Sequence, residues 1–187
     1  MLPRSACWLR PSSCPHAFAV ARQHTLGRLQ FAELLAAVAV EAPYPKELEA
    51  PYEGAEEVLR TLSTSYKIGV IANQSVSSTE RLTTWGLMTF ISACLCSFEL
   101  GLEKPDPAIF KLALDRAGSA ASQAVFIGDR IDNDIRPARL LGWKTIRIAQ
   151  GFARFQSPRD GLDEADLTLA NLEELVPVFM SGLVQSS

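Results

Sequence analysis

From Tyr66 to Ala170 the chain alternates short apolar or β-branched runs with longer segments of helical spacing, without an internal sequence repeat. That alternation is the tightest constraint on its fold. Strands alternating with helices lead to an α/β fold with a mainly parallel sheet, because a parallel crossover needs a helix-length connection. Strands are expected at Tyr66–Ala72, Cys94–Phe98, Ala124–Ile127, Lys144–Ala149 and Asp166–Ala170. The first, Tyr-Lys-Ile-Gly-Val-Ile-Ala, is nearly continuous in apolar residues, as a strand covered on both faces should be.

The connecting helices carry their own punctuation. Gly54–Leu62 places Ala55, Val58, Leu59 and Leu62 on one side. Ser77 and Glu80 have capping-box spacing and open a helix that Gly86 closes. Asp106 and Pro107 occupy N-cap and N1 of a helix through Ala117, with Gly118 beyond it. A further helix runs to Leu141, with Ile135, Ala138 and Leu141 inward and Gly142 as its stop. Asn171 with Glu174 caps the last helix, which carries Leu172, Leu175 and Val178. The stretch Gly161–Asp166 reads as a solvated loop, and Trp85, Trp143 and Phe90 as separate core or surface anchors.

The 187 residues suit one domain, with or without an arm, and 48% hydrophobic against 21% charged is ordinary for a chain with a real core. A net charge of −3 offers no nucleic-acid footprint. No apolar run approaches the ~20 residues of a membrane-spanning helix; the longest, Phe31 to Val40, contains Glu33. Cys7/Cys14 and Cys94/Cys96 lack Cys-x-x-Cys spacing and read as buried free thiols of a reducing compartment.

Residues 1–30 differ from the rest. They contain no Asp or Glu, four arginines (Arg4, Arg10, Arg22, Arg28), both histidines (His16, His24), and Pro3, Pro11 and Pro15. Three readings fit: a transit peptide, a disordered arm, or sequence from a start or exon foreign to the domain. Residues 31–47 follow as a helix, its apolar spacing beginning at Leu29 and running to Val40, and a linker with Pro43 and Pro45. Residues 48–180 form the core domain.

Two clusters carry chemistry. In Gly101-Leu-Glu-Lys-Pro-Asp-Pro107 a lysine, Lys104, stands just before a helix start, where both supply positive potential for a phosphate. In Phe126-Ile-Gly-Asp-Arg-Ile-Asp-Asn-Asp-Ile135 a strand runs directly into Asp129, followed by Asp132 and Asp134. The carboxyl end of a parallel strand is where α/β folds bind ligands. Three carboxylates so close repel one another unless a hard cation offsets them, and an oxygen-rich site suits Mg²⁺.

In this order and on these elements, the clusters resemble the haloacid dehalogenase-like (HAD-like) hydrolases, in particular their phosphoglycolate-phosphatase-like branch, over roughly residues 44–179. The resemblance implies a Rossmann-like sheet with flanking helices. It implies Mg²⁺ held by Asp129 and Asp134, and Lys104 balancing charge as a catalytic and phosphate-binding residue. Asn73, after the strand ending at Ala72, matches the family's second phosphate-binding motif. Residues 31–47 would be the remnant of a specificity cap.

The family's pattern breaks in two places. Its second motif has a Ser or Thr where this chain has Ala72, leaving Ser75 or nearby amides as substitutes. Its first motif is Asp-x-Asp on the first strand, the first Asp attacking phosphorus and the second serving as general acid/base. Both should precede Tyr52, yet the first aspartate in this chain is Asp106. That strand would lie between those ending at Ala72 and Ile127, so its loss exposes two apolar sheet edges. A segment such as His16–Ala21, a partner chain, or an upstream portion of a longer natural protein would each supply it.

The expectation is therefore a HAD-like hydrolase that in complete form uses Mg²⁺ to hydrolyse a small phosphorylated molecule, with this chain close to inactive. The alternative is a non-catalytic module binding a phosphorylated ligand or protein partner. A dehalogenase, which needs no metal, fits the acidic pair less well. Nucleic acid and membrane are not expected partners, self-association through sheet edges is, and the compartment is cytoplasmic or, on the N-terminal composition, mitochondrial.

Overall fold

The apolar runs form strands where backbone pairing and burial coincide. A computed structural model of the chain describes residues 50–74, 78–151 and 153–181. The expectations for residues 1–30, the 29–40 helix, His16–Ala21, Ser75 and Ser77 lie outside the described residues.

Helix α1 (Ala55–Ser63) leads into β1 (Gly69–Ala72) and α2 (Ser78–Thr84). Strand β2 (Ala93–Cys96) and the single turn α3 (Ser97–Leu100) follow, then α4 (Pro107–Ala117) and β3 (Val125–Gly128). A π-turn (Ile131–Ile135) continues into α5 (Arg136–Leu140), and β4 (Lys144–Ile148), β5 (Leu167–Leu169) and α6 (Leu175–Met180) complete the chain.

Among the described residues the strand pairings are all parallel, as the alternating pattern predicts, but they make two pieces. β1 pairs with β2, and β3–β4–β5 form a separate three-stranded sheet. Among the described residues no strand joins β1 to β3. A cleft of about 910 Å³ lies there, lined by Gly69–Ile71 on one side and Val125–Gly128 on the other.

Helices on both faces hold the pieces together. The core of Leu95, Ile109, Phe110, Phe126 and Ala138 draws on β2, α4, β3 and α5, with Ile71 of β1 packed against it. Phe110 is fully buried and meets the rings of Phe126 and Trp143 at 5.1 and 6.3 Å. On the other face, Val58 and Leu62 of α1 pack with β4, β5 and α6, while Leu59 reaches the cluster of Leu82, Leu87 and Ile91. Helices α4 and α1 therefore each span both half-sheets.

Several expectations need correction. The strand expected at Cys94–Phe98 ends at Cys96, because Ser97 Oγ accepts from the Gln74 amide at 3.0 Å and lies 3.1 Å from its carbonyl. Phe98 consequently sits in α3 and is 65% exposed. Of the two central cysteines only Cys96 is buried; Cys94 is half-buried, and neither is in a disulfide. The loop Gly161–Asp166 is not wholly solvated: Asp163 is 1% exposed and pairs with Arg136 and Arg159 at 2.8 and 2.7 Å. Those guanidinium groups, Arg159 first, hold its carboxyl well below the usual range. Asn171 and Glu174 cap each other's turn, but the helix proper begins at Leu175.

Asp106 caps α4 as expected, accepting from the Ala108 amide at 2.8 Å, and Gly118 ends it with φ 62°. Because α4 bridges the half-sheets through Phe110, Phe110→Ala should cost about 3–5 kcal/mol in urea unfolding. Leu140→Ala, at a site 62% exposed, should cost less than about 0.5 kcal/mol.

Candidate active site

The carboxyl ends of β1 and β3 are joined through one loop. Asn73 follows β1, and its amide closes a two-way bond with the main chain of Lys104. Asn73 Nδ2 donates to the Lys104 carbonyl at 2.7 Å, and the Lys104 amide donates to Asn73 Oδ1 at 2.8 Å. This clasp directs the lysine side chain across to the other half-sheet. There Lys104 Nζ donates to Asp134 Oδ1 at 2.7 Å, with side-chain exposures of only 12% and 5%. The ammonium also lies 5.5 Å from the centre of the Phe126 ring.

Asp134 stands in the π-turn after β3, and its other oxygen accepts from the Arg130 amide at 3.0 Å. Its carboxyl folds directly over Gly128. A Cβ on Gly128 would lie 2.5 Å from Asp134 Cβ and 2.8 Å from Oδ2, so only glycine admits this approach. The Gly-Asp pair at the end of β3 thus has a packing reason as well as a chemical one.

Asp129 lines the cleft beside these groups. Burial, then the neighbouring Asp134 carboxylate, pushes its pKa up to about 6, against partial relief from Lys104. Asp132 does not share the site. Arg130 binds it through Nε and Nη2 at 3.1 and 2.5 Å, and Gln156 Nε2 donates to it at 2.9 Å. Gln156 also accepts from the Ile131 amide at 2.8 Å, while buried Arg147 holds the Gln156 carbonyl at 3.0 Å. The sequence cluster of three carboxylates therefore resolves into an electrostatically coupled pair, Asp129 and Asp134, and one separate ion pair of Asp132 with Arg130.

Four of the residues expected at the site, Asn73, Lys104, Asp129 and Asp134, converge. Ala72 is fully buried and brings no hydroxyl. The positioning residues Arg130, Arg147 and Gln156 carry no local signal in the sequence: Gln156 acts on a turn 24 residues earlier.

The donor set suits a hard cation. The carboxylate of Asp134 loads that of Asp129 electrostatically, and no described side chain hydrogen-bonds Asp129. Among the described residues no three His, Cys, Asp or Glu gather into a metal cage. Mg²⁺ needs none, since it keeps several waters and takes one or two carboxylates.

Fold and site together describe an α/β protein with Asn73, Lys104, Asp129 and Asp134 at the carboxyl ends of its parallel strands, the place where such folds bind ligands. The chain belongs to the haloacid dehalogenase-like hydrolases: the family pattern matches residues 23–148. It is similar to glyceraldehyde 3-phosphate phosphatase of Methanocaldococcus jannaschii, 33% identical over 142 residues, which cover 75% of this chain and 58% of that protein. The chain thus spans less than two thirds of the length of this curated relative.

Among solved structures it is similar to 2-haloacid dehalogenase of Pseudomonas syringae, with a TM-score of 0.61 and 25% identity over 88% of this chain and 68% of that one. It also shares its fold with the Bacillus subtilis HAD-hydrolase YfnB bound to magnesium. There the TM-score is 0.63 and the identity 20%, covering 87% and 77% of the two chains. No helix of the described residues is long and apolar enough to cross a membrane.

The raised pKa of Asp129 ties stability to pH in one direction. Its folded state holds the proton more tightly than the unfolded chain does, so its contribution to stability is full below its ordinary 3.8 and is lost as pH rises through about 6. That rise corresponds to about 3 kcal/mol. Without divalent cations, Asp129→Asn should gain about 2–3 kcal/mol on the native protein between acidic and neutral pH, measured by urea unfolding at each pH. An equal stability difference at both pH values would contradict this assignment.

Proposed function

We propose that the strand-end cluster is a phosphate and Mg²⁺ site of the HAD-like phosphatase kind, retained in a chain that lacks the nucleophile. The observation that carries this reading is the convergence of Lys104, Asp129 and Asp134 from two separate loops on one point at the cleft mouth. Asp129 and Asp134 would hold the cation, which would neutralise charge on a phosphoryl group. Lys104 would meet the phosphate oxygens as a fixed positive charge. Asn73 would serve the same anion by holding the Lys104 main chain. The substrate class is a small phosphorylated molecule, in keeping with the phosphatase relatives.

Turnover is a different matter. No aspartate precedes Asp106, and Asp106 is committed to capping α4. Neither remaining carboxylate is a suitable nucleophile: Asp134 is bonded to Lys104 and Arg130, and Asp129 is assigned to the cation. A chain of this sequence should therefore bind without hydrolysing. The second reading, a non-catalytic module for a phosphorylated ligand, draws on the same absence and on buried Ala72.

With p-nitrophenyl phosphate and Mg²⁺, this chain should release p-nitrophenol no faster than a heat-denatured sample. Mg²⁺-dependent hydrolysis that Lys104→Ala abolishes would refute the inactive reading, because it would require a nucleophile the sequence does not supply.

A further inference from the structure

Strand β4 carries a buried charge that touches neither Lys104 nor the carboxylate pair. Arg147 is 8% exposed and stands in register with Gly128, the glycine over which Asp134 folds. A buried guanidinium is costly unless it is hydrogen-bonded. Arg147 Nη2 is spent on the loop after β4, donating to the Ala153 carbonyl at 2.6 Å and to the Gln156 carbonyl at 3.0 Å. The Gln156 amide donates to the Ala153 carbonyl at 2.9 Å. Both main-chain groups of Gln156 are therefore engaged, and its backbone is fixed relative to β4.

From that fixed point the Gln156 side chain reaches a turn 25 residues earlier. The first amides of a helical turn have no carbonyl of their own to bind. Ile131 opens the π-turn, and its amide donates to Gln156 Oε1 at 2.8 Å. Gln156 Nε2 donates to Asp132 Oδ1 at 2.9 Å, and Asp132 in turn holds the Arg130 guanidinium. One side-chain amide thus takes up a main-chain donor and a carboxylate in the same turn. The turn is wider than an α-helical one, since the Arg130 carbonyl accepts from both the Asp134 and Ile135 amides, at 2.9 and 3.1 Å. Asp129 lies just before it and Asp134 within it, so opening it at Ile131 would shift one carboxylate against the other. Lys104 holds Asp134 from the β1 side, and Gln156 holds the turn from the β4 side.

We propose that Gln156 is a positioning residue whose brace makes the Asp129–Asp134 site prefer Mg²⁺ over Ca²⁺. The inference rests on the cation reading of that pair and adds the group that keeps it rigid. Mg²⁺ demands near-ideal octahedral geometry, whereas Ca²⁺ accepts variable and flexible coordination. A rigid carboxylate pair therefore matters to the first cation and little to the second. Gln156 acts through hydrogen bonds to Ile131 and Asp132, and residues that orient metal ligands in this way typically cost about 10–100-fold in affinity when replaced.

The test is calorimetric titration of MgCl₂ and of CaCl₂ into the full chain and into Gln156→Met, since methionine keeps the length and makes neither bond. Mg²⁺ affinity should fall about tenfold or more, and Ca²⁺ affinity by less than about threefold. In the metal-free proteins, hydrogen exchange read by NMR should be about fivefold faster at the Ile131 amide of the variant. Unchanged exchange in β3 and β4 checks that the variant is folded. Equal loss of both cations, no loss of either, or an unchanged Ile131 amide would overturn the proposal. A brace that only fastened the loop would lower stability in urea and leave the ratio of Mg²⁺ to Ca²⁺ affinity intact. A parent chain that binds no Mg²⁺ would sink the cation reading and this inference together. A parent that binds Mg²⁺ beside a variant of unaltered preference would sink this inference alone.

Discussion

Two parallel half-sheets stand side by side in this chain, and the connection between their carboxyl ends runs through Lys104. Its main chain is held by Asn73 at the end of β1, and its ammonium by Asp134 after β3. The pair is nearly buried, so removing one partner would leave the other charge without compensation in a poorly solvated site. Breaking such pairs costs several kcal/mol even where forming them gains little. Asp134, one end of this bridge, lies over Gly128 and loads Asp129, while Lys104 partly relieves that load.

That bridge alone would not hold two sheets together. Helix α4 does so by burial, placing Ile109 and Phe110 against Leu95 of one half-sheet and Phe126 of the other. On the opposite face α1 divides its apolar side between two clusters in the same way. Among the described residues the architecture is a doubly covered set of parallel strands in which β1 and β3 are not paired, and Asn73, Lys104, Asp129 and Asp134 gather at their carboxyl ends. Fold and chemistry therefore depend on the same place.

Much of this was legible in the sequence, for local reasons. The β-branched run through Ile68–Ala72 announces a doubly covered strand, and Asp106-Pro107 with Gly118 delimits α4 nearly to the residue. Gly128-Asp129 at a strand end and Lys104 before a helix mark the site, because ligand chemistry in α/β folds gathers at strand ends. What was not legible rests on long-range bonds. Asp132 looks like a third site carboxylate until Arg130 and Gln156 claim it. Gly161–Asp166 looks solvated until Arg136 and Arg159 enclose Asp163. The strand through Cys96 would continue on propensity alone, but the hydroxyl of Ser97 is taken up by the main chain of Gln74. In each case a tertiary partner decides between two local outcomes of similar cost.

We propose a cation and phosphate site of Asp129, Asp134 and Lys104 in a chain whose first aspartate is Asp106. Calorimetric titration at neutral pH tests it most directly: MgCl₂ into the protein, then inorganic phosphate into the Mg²⁺-loaded sample, for the parent chain and for Asp129→Asn. Saturable Mg²⁺ binding to the parent, its loss in the variant, and phosphate binding only after the cation are expected. Folded parent protein that takes up neither Mg²⁺ nor phosphate would contradict it and leave the strand-end cluster as a structural ion pair.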